Sequence, residues 1–170
     1  QLFAQREQWL EAILKVLRGV GQASGSSRPV LLNDRVQSTE QLSKRVKQAL
    51  QWVSQRSPHE PYTDFRFQLQ ELGFEPGWGN CAGRVRETLE LLDRLLDFPD
   101  HAVLEAFISR IPLIWRVVLV SIHGWVSQDG VLGRADTAGQ VVYVLDQARS
   151  LELQLQEDIK LAGLDSIGIQ

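Results

Sequence analysis

The spacing of apolar residues changes once along this chain of 170 residues, and that change limits the possible folds more than any other feature. Over about the first 110 residues, apolar residues recur every three or four positions, which is typical of helices with one buried face. The run from Val117 to Ile122 has no polar alternation and is typical of a parallel strand buried on both faces. Helical spacing returns between Ala138 and Leu161, with Gly163 as the predicted end and one apolar face formed by Val141, Val144, Leu145, Ala148, Leu151 and Leu155. The sequence therefore predicts a mainly α-helical chain, with a helical domain followed by the first strand-loop-helix unit of a Rossmann-like domain.

Recognisable start and stop residues bound the predicted helices of the first part. Ser38 and Gln41 have the spacing of a capping box, in which each side chain satisfies a backbone donor of the other residue. Asn80 is the predicted N-cap of a later helix, and Gly19 and Gly73 are predicted helix ends. The predicted buried stripes are Leu10, Ile13, Leu14 and Leu17; Leu42, Val46, Ala49 and Val53; Tyr62, Phe65, Leu69 and Leu72; and Val85, Leu89, Leu92 and Leu96.

The predicted domain boundary follows from these patterns. Residues 1–112 form the helical domain, and residues 113–170 form the start of the Rossmann-like domain. A single parallel strand cannot pair its own edges, so the second part needs further strands, and the residues after Gly163 supply at most one short one. The chain also contains no methionine. We therefore expect it to be a piece of a longer polypeptide.

Composition excludes several classes of protein. A formal net charge of -3 does not favour nucleic-acid binding, which needs a clustered basic surface. No run of about 18 apolar residues indicates a membrane span. Cys81 is the single cysteine, so it has no disulfide partner within the chain and no cluster of metal ligands around it. These features predict a cytoplasmic protein without a metal site.

The candidate ligand site lies in the connection between the predicted strand and the following helix. His123 comes at the end of the strand, and the loop from there to Thr137 has about fifteen residues where about 2 to 6 are usual. Ala138 and Gly139 are small enough to let a ligand approach the positive end of the helix. The residues also allow a structural interpretation, in which His123 is a hydrogen-bonded framework residue and Asp136 or Thr137 is simply an N-cap.

Several segments together resemble sucrose synthase. They are Leu32-Asn-Asp-Arg-Val-Gln-Ser38, Gln70-Glu-Leu-Gly73, Gly77-Trp-Gly79, Val118-Leu-Val-Ser-Ile-His-Gly124, Val131-Leu-Gly133, Asp136-Thr137 and the run from Gly139 to Glu152. Sucrose-phosphate synthase shares the His-Gly pair and the turn before the last helix, but it lacks the Leu-Asn-Asp-Arg and Gly-Trp-Gly segments. A fragment of that enzyme is the less favoured alternative.

The resemblance implies an activity that residue spacing does not. Sucrose synthases are GT-B glycosyltransferases that move glucose reversibly between sucrose and a nucleoside diphosphate, UDP or ADP, with retention of configuration and no tightly bound cofactor. His123 would then bind the fructose or glucose unit. Thr137, Ala138, Gly139 and Gln140 would form the turn that faces the diphosphate and the sugar. The resemblance assigns no catalytic nucleophile to this part, and the chain by itself is expected to be inactive.

Two further expectations follow from the resemblance. Family members are commonly tetramers, so a homo-oligomer is expected. Ala138 stands where the family has a glycine, and a methyl group at a close backbone approach can block a ligand. A rival hypothesis is therefore a non-catalytic helical module for oligomerisation or partner binding, which carries a vestigial Rossmann unit.

Overall fold

The computed structural model describes residues 2–19, 30–113, 117, 119 and 140–164, without the side chains of residues 2–6 and 140–142. The helices in these ranges are α1 Leu2–Leu17, α2 Thr39–Val53, α3 Arg66–Leu72, α4 Ala82–Asp97, α5 His101–Ile108 and α6 Gln140–Leu161. A 3-10 turn, Tyr62–Asp64, precedes α3. The prediction of a mainly α-helical chain is confirmed. Most of the predicted strand from Val117 to Ile122 lies outside the described residues.

The chain divides into two compact units. The larger one, called here the helical unit, consists of residues 1–115 and 159–170, and the smaller one consists of residues 116–158. The predicted boundary between residues 112 and 113 stays a prediction.

The core of the helical unit is built around α2 and α4. The stripe predicted for α2 is at most 1% exposed, because its residues recur on one face. The stripe predicted for α4 is at most 4% exposed. Burying each Val or Leu side chain of these stripes contributes about 1.5–3 kcal/mol, so this seam is a principal source of stability. Its members are Leu42, Val46, Ala49 and Val53 on α2 and Val85, Leu89, Leu92 and Leu96 on α4.

The capping box of α2 forms with one change of partner. The backbone N–H of Gln41 donates to Ser38 Oγ at 3.2 Å, as predicted. The Gln41 side chain accepts at 2.8 Å from the backbone N–H of Gln37, one residue before the expected partner. Both bonds satisfy donors before the first full helical turn, so the sequence located the start of α2 correctly.

The start of α4 differs from the prediction. Cys81, not Asn80, is the N-cap residue, and its side chain makes no capping hydrogen bond. The first free donors of the helix are satisfied by the backbone instead. Ala82 N–H donates to the carbonyl of Glu60, and Gly83 N–H donates to the carbonyl of Pro58, each at 2.9 Å. A preceding loop therefore caps α4, which no local pattern of side chains could reveal.

That loop is itself held by the end of α2. Arg56 Nη1 lies 2.7 Å from Glu60 Oε1, and both side chains are partly buried. The guanidinium also stacks on the Trp52 ring, 4.2 Å from the ring centroid. The Arg56–Glu60 pair thus helps to place the carbonyls that cap α4.

The long helix α6 begins and ends close to its predicted limits. The residues of its predicted apolar face whose side chains are described in the smaller unit are half-buried. They are Val144, Leu145, Ala148, Leu151 and Leu155. Gly163, the predicted end, adopts a positive φ of 76°. The sequence thus predicted the extent of α6 better than the burial of its face.

Candidate functional site

The predicted sugar-binding residues fall mostly outside the described part of the chain. His123, Thr137, Ala138 and Gly139 are among the residues that the structure does not describe, so their roles stay predictions. Gln140 is described through its backbone and is the first residue of α6. The predicted turn is therefore followed at once by a helix of 22 residues.

The segments that carry the resemblance meet in the helical unit, where Asn33 makes a dense set of hydrogen bonds. Its Nδ2 group donates to the Gln70 carbonyl at 2.9 Å and to Glu75 Oε1 at 2.8 Å. Its Oδ1 atom accepts from Arg35 N–H at 3.1 Å, and its own N–H donates to the Gly73 carbonyl at 3.0 Å. An asparagine fits here because it offers donors and an acceptor on one short side chain.

Glu75 is the common acceptor of this group. Its second carboxylate oxygen, Oε2, accepts from Gln70 Nε2 at 2.8 Å. Both oxygens of Glu75 are thus engaged by neutral amide donors from Asn33 and Gln70. This use of the carboxylate is structural, because it ties the segment after α3 to the segment before α2.

Trp78, in the Gly77-Trp-Gly79 segment, is a core residue and is 0% exposed. Its indole N–H donates to the Leu31 carbonyl at 3.1 Å. The ring meets Phe74 edge to face, with 5.2 Å between centroids. Trp78 is therefore a packing anchor, and the described contacts leave its face unavailable for stacking on a ligand.

Gly79, the last residue of this segment, and the following Asn80 bind the end of α6. Gly79 N–H donates to the Ala162 carbonyl at 3.1 Å, and Asn80 N–H donates to the Leu161 carbonyl at 3.0 Å. These carbonyls lack partners within the helix, so the two bonds complete its C-terminal end. A side chain at Gly163 would collide with the Gly79 carbonyl, so a glycine is required there.

An open pocket of about 560 Å³ adjoins the Asn33 group. Its charged lining residues are Arg18, Asp34 and Glu75. Arg18 Nη2 lies 3.5 Å from Asp34 Oδ1, and the Asp34 side chain is 98% exposed. Glu75 is already held by two amides. The charged groups of the pocket are therefore already engaged, Arg18 with Asp34 and Glu75 with two amides, and they form no arranged acid, base or nucleophile.

The described titratable groups do not form an acid–base pair. The side chains of His59 and His101 are exposed. Burial raises the pKa of Tyr62 far above its usual range, with the Glu75 carboxylate adding to the effect and Arg66 opposing it. The Ser38 hydrogen bond lowers the pKa of Glu40.

The described residues contain no group of three or more His, Cys, Asp or Glu side chains that could hold a metal ion. Among the same residues, every helix is too short or too polar to cross a bilayer.

Two family models, both of sucrose synthase domains, match successive stretches of the chain. Residues 1–80 match the model of the sucrose synthase EPBD domain, and residues 102–169 match the model of the sucrose synthase first GT-B domain. A sucrose synthase from Thermosynechococcus vestitus is 55% identical over 170 residues, which is 100% of this chain and 21% of that protein. The chain belongs to the sucrose synthase family.

Other sucrose synthases show the same relationship. One from Acidithiobacillus caldus is 51% identical over 120 residues, covering 71% of this chain and 15% of that protein. Sucrose synthase 3 of Arabidopsis thaliana is 44% identical over 156 residues, covering 92% and 19%. The chain thus spans about a fifth of the length of the curated relatives it matches.

The hydrogen bonds described above involve the segments that carry the family resemblance. Of the segments that carry the resemblance, Leu-Asn-Asp-Arg and Gln-Glu-Leu-Gly are joined by Asn33, which also bonds Glu75, and Gly-Trp-Gly is tied to Leu31 by Trp78. Sequence reasoning used these segments for recognition but missed what they do. Asn33 and Glu75 are 42 positions apart, so no local spacing connects them.

Proposed function

We propose that the protein containing this chain is a sucrose synthase that transfers glucose reversibly between sucrose and a nucleoside diphosphate, with retention of configuration. The observation that carries this proposal is the 55% identity to a sucrose synthase across the whole chain. The first GT-B domain match over residues 102–169 supports a glycosyltransferase. The chain contributes one part of the cleft, so by itself it should not catalyse the transfer.

The proposed contribution of this chain lies at the start of α6. The helix begins at Gln140, and Thr137, Ala138 and Gly139 come directly before it in the sequence. The first N–H groups of a helix lack intrahelical partners and carry partial positive charge. We propose that these donors stabilise the diphosphate as negative charge develops on it, while His123 binds the sugar.

The nucleotide and the assembly belong to the same proposal. UDP or ADP is the substrate that accepts glucose from sucrose, and no tightly bound cofactor is needed for that transfer. The EPBD domain match over residues 1–80 is consistent with a family arrangement in which this part takes part in a homo-oligomer, a tetramer. We place the protein in the cytoplasm.

Sucrose cleavage by the full-length protein tests the proposal. The wild-type protein should release fructose from sucrose in the presence of UDP or ADP, and each nucleotide is assayed separately. His123→Ala should reduce kcat/KM for sucrose by at least tenfold, because a sugar hydrogen bond is lost in the transition state. A full-length protein that cleaves no sucrose with either nucleotide would overturn the proposed activity.

Variants at the turn examine the individual residues. Gln140→Ala should impair cleavage, whereas Gln154→Ala, an exposed residue of the same helix, should leave it unchanged. Equal rates for both variants would remove Gln140 from the site. Ala138→Gly should raise the rate if the methyl group obstructs the ligand, and an unchanged rate would show that the alanine is harmless.

A further inference from the structure

The seam between α2 and α4 places one lysine beside two aspartates. Lys47 Nζ, on α2, lies 3.8 Å from Asp97 Oδ1, on α4. Asp93 precedes Asp97 by four positions on the same helix, and side chains at this spacing are neighbours on a helix surface. Two carboxylates therefore share the field of a single ammonium group.

Of the two carboxylates, Asp93 is the less well stabilised in its charged form. Its Oδ1 atom is buried and accepts no hydrogen bond. It adjoins Leu92, one of the fully buried residues of the core. Removing a carboxylate oxygen from water without a compensating donor disfavours the charged form. Burial accordingly raises the pKa of Asp93, Asp97 raises it further, and Lys47 opposes the shift.

The charged residues of the helices packed around Asp93 do not reverse the rise in its pKa. Lys47 from α2 and Asp97 from α4 are the charged groups that act on Asp93. Helix α5 also packs against α4, and its titratable residues, His101 and Glu105, are exposed. The remaining charged residues of α2 and the flanking ones of α4 lie at or near the surface: Glu40, Lys44, Arg45, Glu90 and Arg94.

We propose that the α2–α4 seam is a proton-responsive contact, which becomes more stable when Asp93 takes up a proton. Protonation removes the charge from the buried oxygen. It also ends the repulsion between the two carboxylates and leaves Lys47 to pair with Asp97. The seam is a main packing surface of the helical unit, so a change there alters the stability of the whole unit. This property is independent of the proposed glycosyltransferase activity.

The direction of the effect follows from proton linkage. A carboxyl group whose pKa is higher in the folded state binds more protons there than in the unfolded chain, within the interval between the two pKa values. The contribution of Asp93 to stability therefore rises as the pH falls towards the ordinary aspartate value of 3.8. Aspartates with lowered pKa values act in the opposite direction, so the Asp93 contribution is measured as a difference.

Carbon-13 NMR of the 170-residue chain with labelled aspartate carboxyl groups provides the direct test. We expect one resonance to titrate above the ordinary aspartate range and to be missing from Asp93→Asn. Lys47→Met should move that midpoint further upward, because the opposing positive charge is gone. A midpoint at or below the ordinary value, or one that Lys47→Met leaves unmoved, would overturn the proposal.

Thermal unfolding against pH supplies a second readout. Asp93→Asn should be more stable than wild type at neutral pH, and the difference should close as the pH falls. Asp64→Asn, at an exposed aspartate, is the matched control and should follow the wild-type profile. A difference that is the same at both ends of the pH range contradicts the proposal. If Asp93→Asn does not fold, the titrations of wild type and Lys47→Met still decide the question.

Discussion

The indole N–H of Trp78 donates a hydrogen bond to the backbone carbonyl of Leu31, 3.1 Å away and 47 positions earlier in the chain. The same carbonyl accepts from Glu75 N–H at 3.0 Å, and Leu31 N–H donates to the carbonyl of Leu17. Three separate segments thus meet at Leu31. Because Trp78 is fully buried at this meeting point, its hydrogen bond and the packing of its ring both stabilise the contact between the segments.

Replacing Trp78 with phenylalanine should lower the free energy of unfolding of the helical unit by on the order of 2 kcal/mol. One hydrogen bond is worth about 1 kcal/mol net, and the smaller ring leaves a cavity. Urea denaturation followed by circular dichroism measures the loss. Phe67→Leu changes a ring that is 62% exposed and should cost much less. Equal costs for the two variants would contradict the assigned role of Trp78.

Gly163→Ala should destabilise the chain by about 1–3 kcal/mol, the usual cost of forcing a side chain into an unfavourable backbone region. Its φ is 76°, and an added methyl group would strike the Gly79 carbonyl. Gly163→Asn separates the two causes, because asparagine tolerates positive φ but still carries a Cβ atom.

We expect Gly163→Asn to be nearly as unstable as Gly163→Ala. Amide exchange should show weakened protection of Gly79 and Asn80, whose N–H groups bond to the end of α6. Recovery of full stability by asparagine would show that φ is the whole cost and that the contact with Gly79 is unimportant.

Asn33→Asp should destabilise the helical unit at neutral pH, because it replaces the donor Nδ2 with a second carboxylate oxygen. That oxygen would face Glu75 Oε1 at 2.8 Å and the Gln70 carbonyl at 2.9 Å. A loss of about 1–3 kcal/mol is typical when buried polar partners become mismatched.

The pH dependence of Asn33→Asp supplies the check. The loss should diminish at acid pH, since a protonated carboxyl can donate again to Glu75. Asp34→Asn changes the neighbouring, 98% exposed side chain and should have little effect. A pH-independent loss at Asn33 would contradict the proposed repulsion.

Tyr62→Phe should cost nothing or stabilise slightly. The Tyr62 hydroxyl is buried without a hydrogen-bond partner, and such a group carries an unrecovered desolvation cost. Its ring packs edge to face on Phe65, with 5.6 Å between centroids, and phenylalanine preserves this contact. Thermal unfolding measures the change, and a loss larger than about 1 kcal/mol, the net worth of one hydrogen bond, would reveal a bond to the hydroxyl.

The sequence predicted much of the helical unit. Helix periodicity identified the buried faces of α2 and α4, and the Ser38 capping box located the start of α2. It failed at the start of α4, where carbonyls of Pro58 and Glu60 replace a side-chain cap. For the candidate sugar site, the sequence supplied the residues and their family resemblance, and the structure shows Gln140 as the first residue of a helix. The positions of the other proposed ligands stay predictions.

The sequence by itself determined which stretches become helices and which family the chain belongs to, because periodicity, caps and family segments are local patterns. The tertiary structure decided which distant residues meet. The bonds of Asn33 to Glu75, of Trp78 to Leu31 and of Gly79 to the end of α6 join positions far apart in the chain. Such bonds depend on how the helices pack, since packing brings donors and acceptors to about 3 Å that no sequence spacing relates.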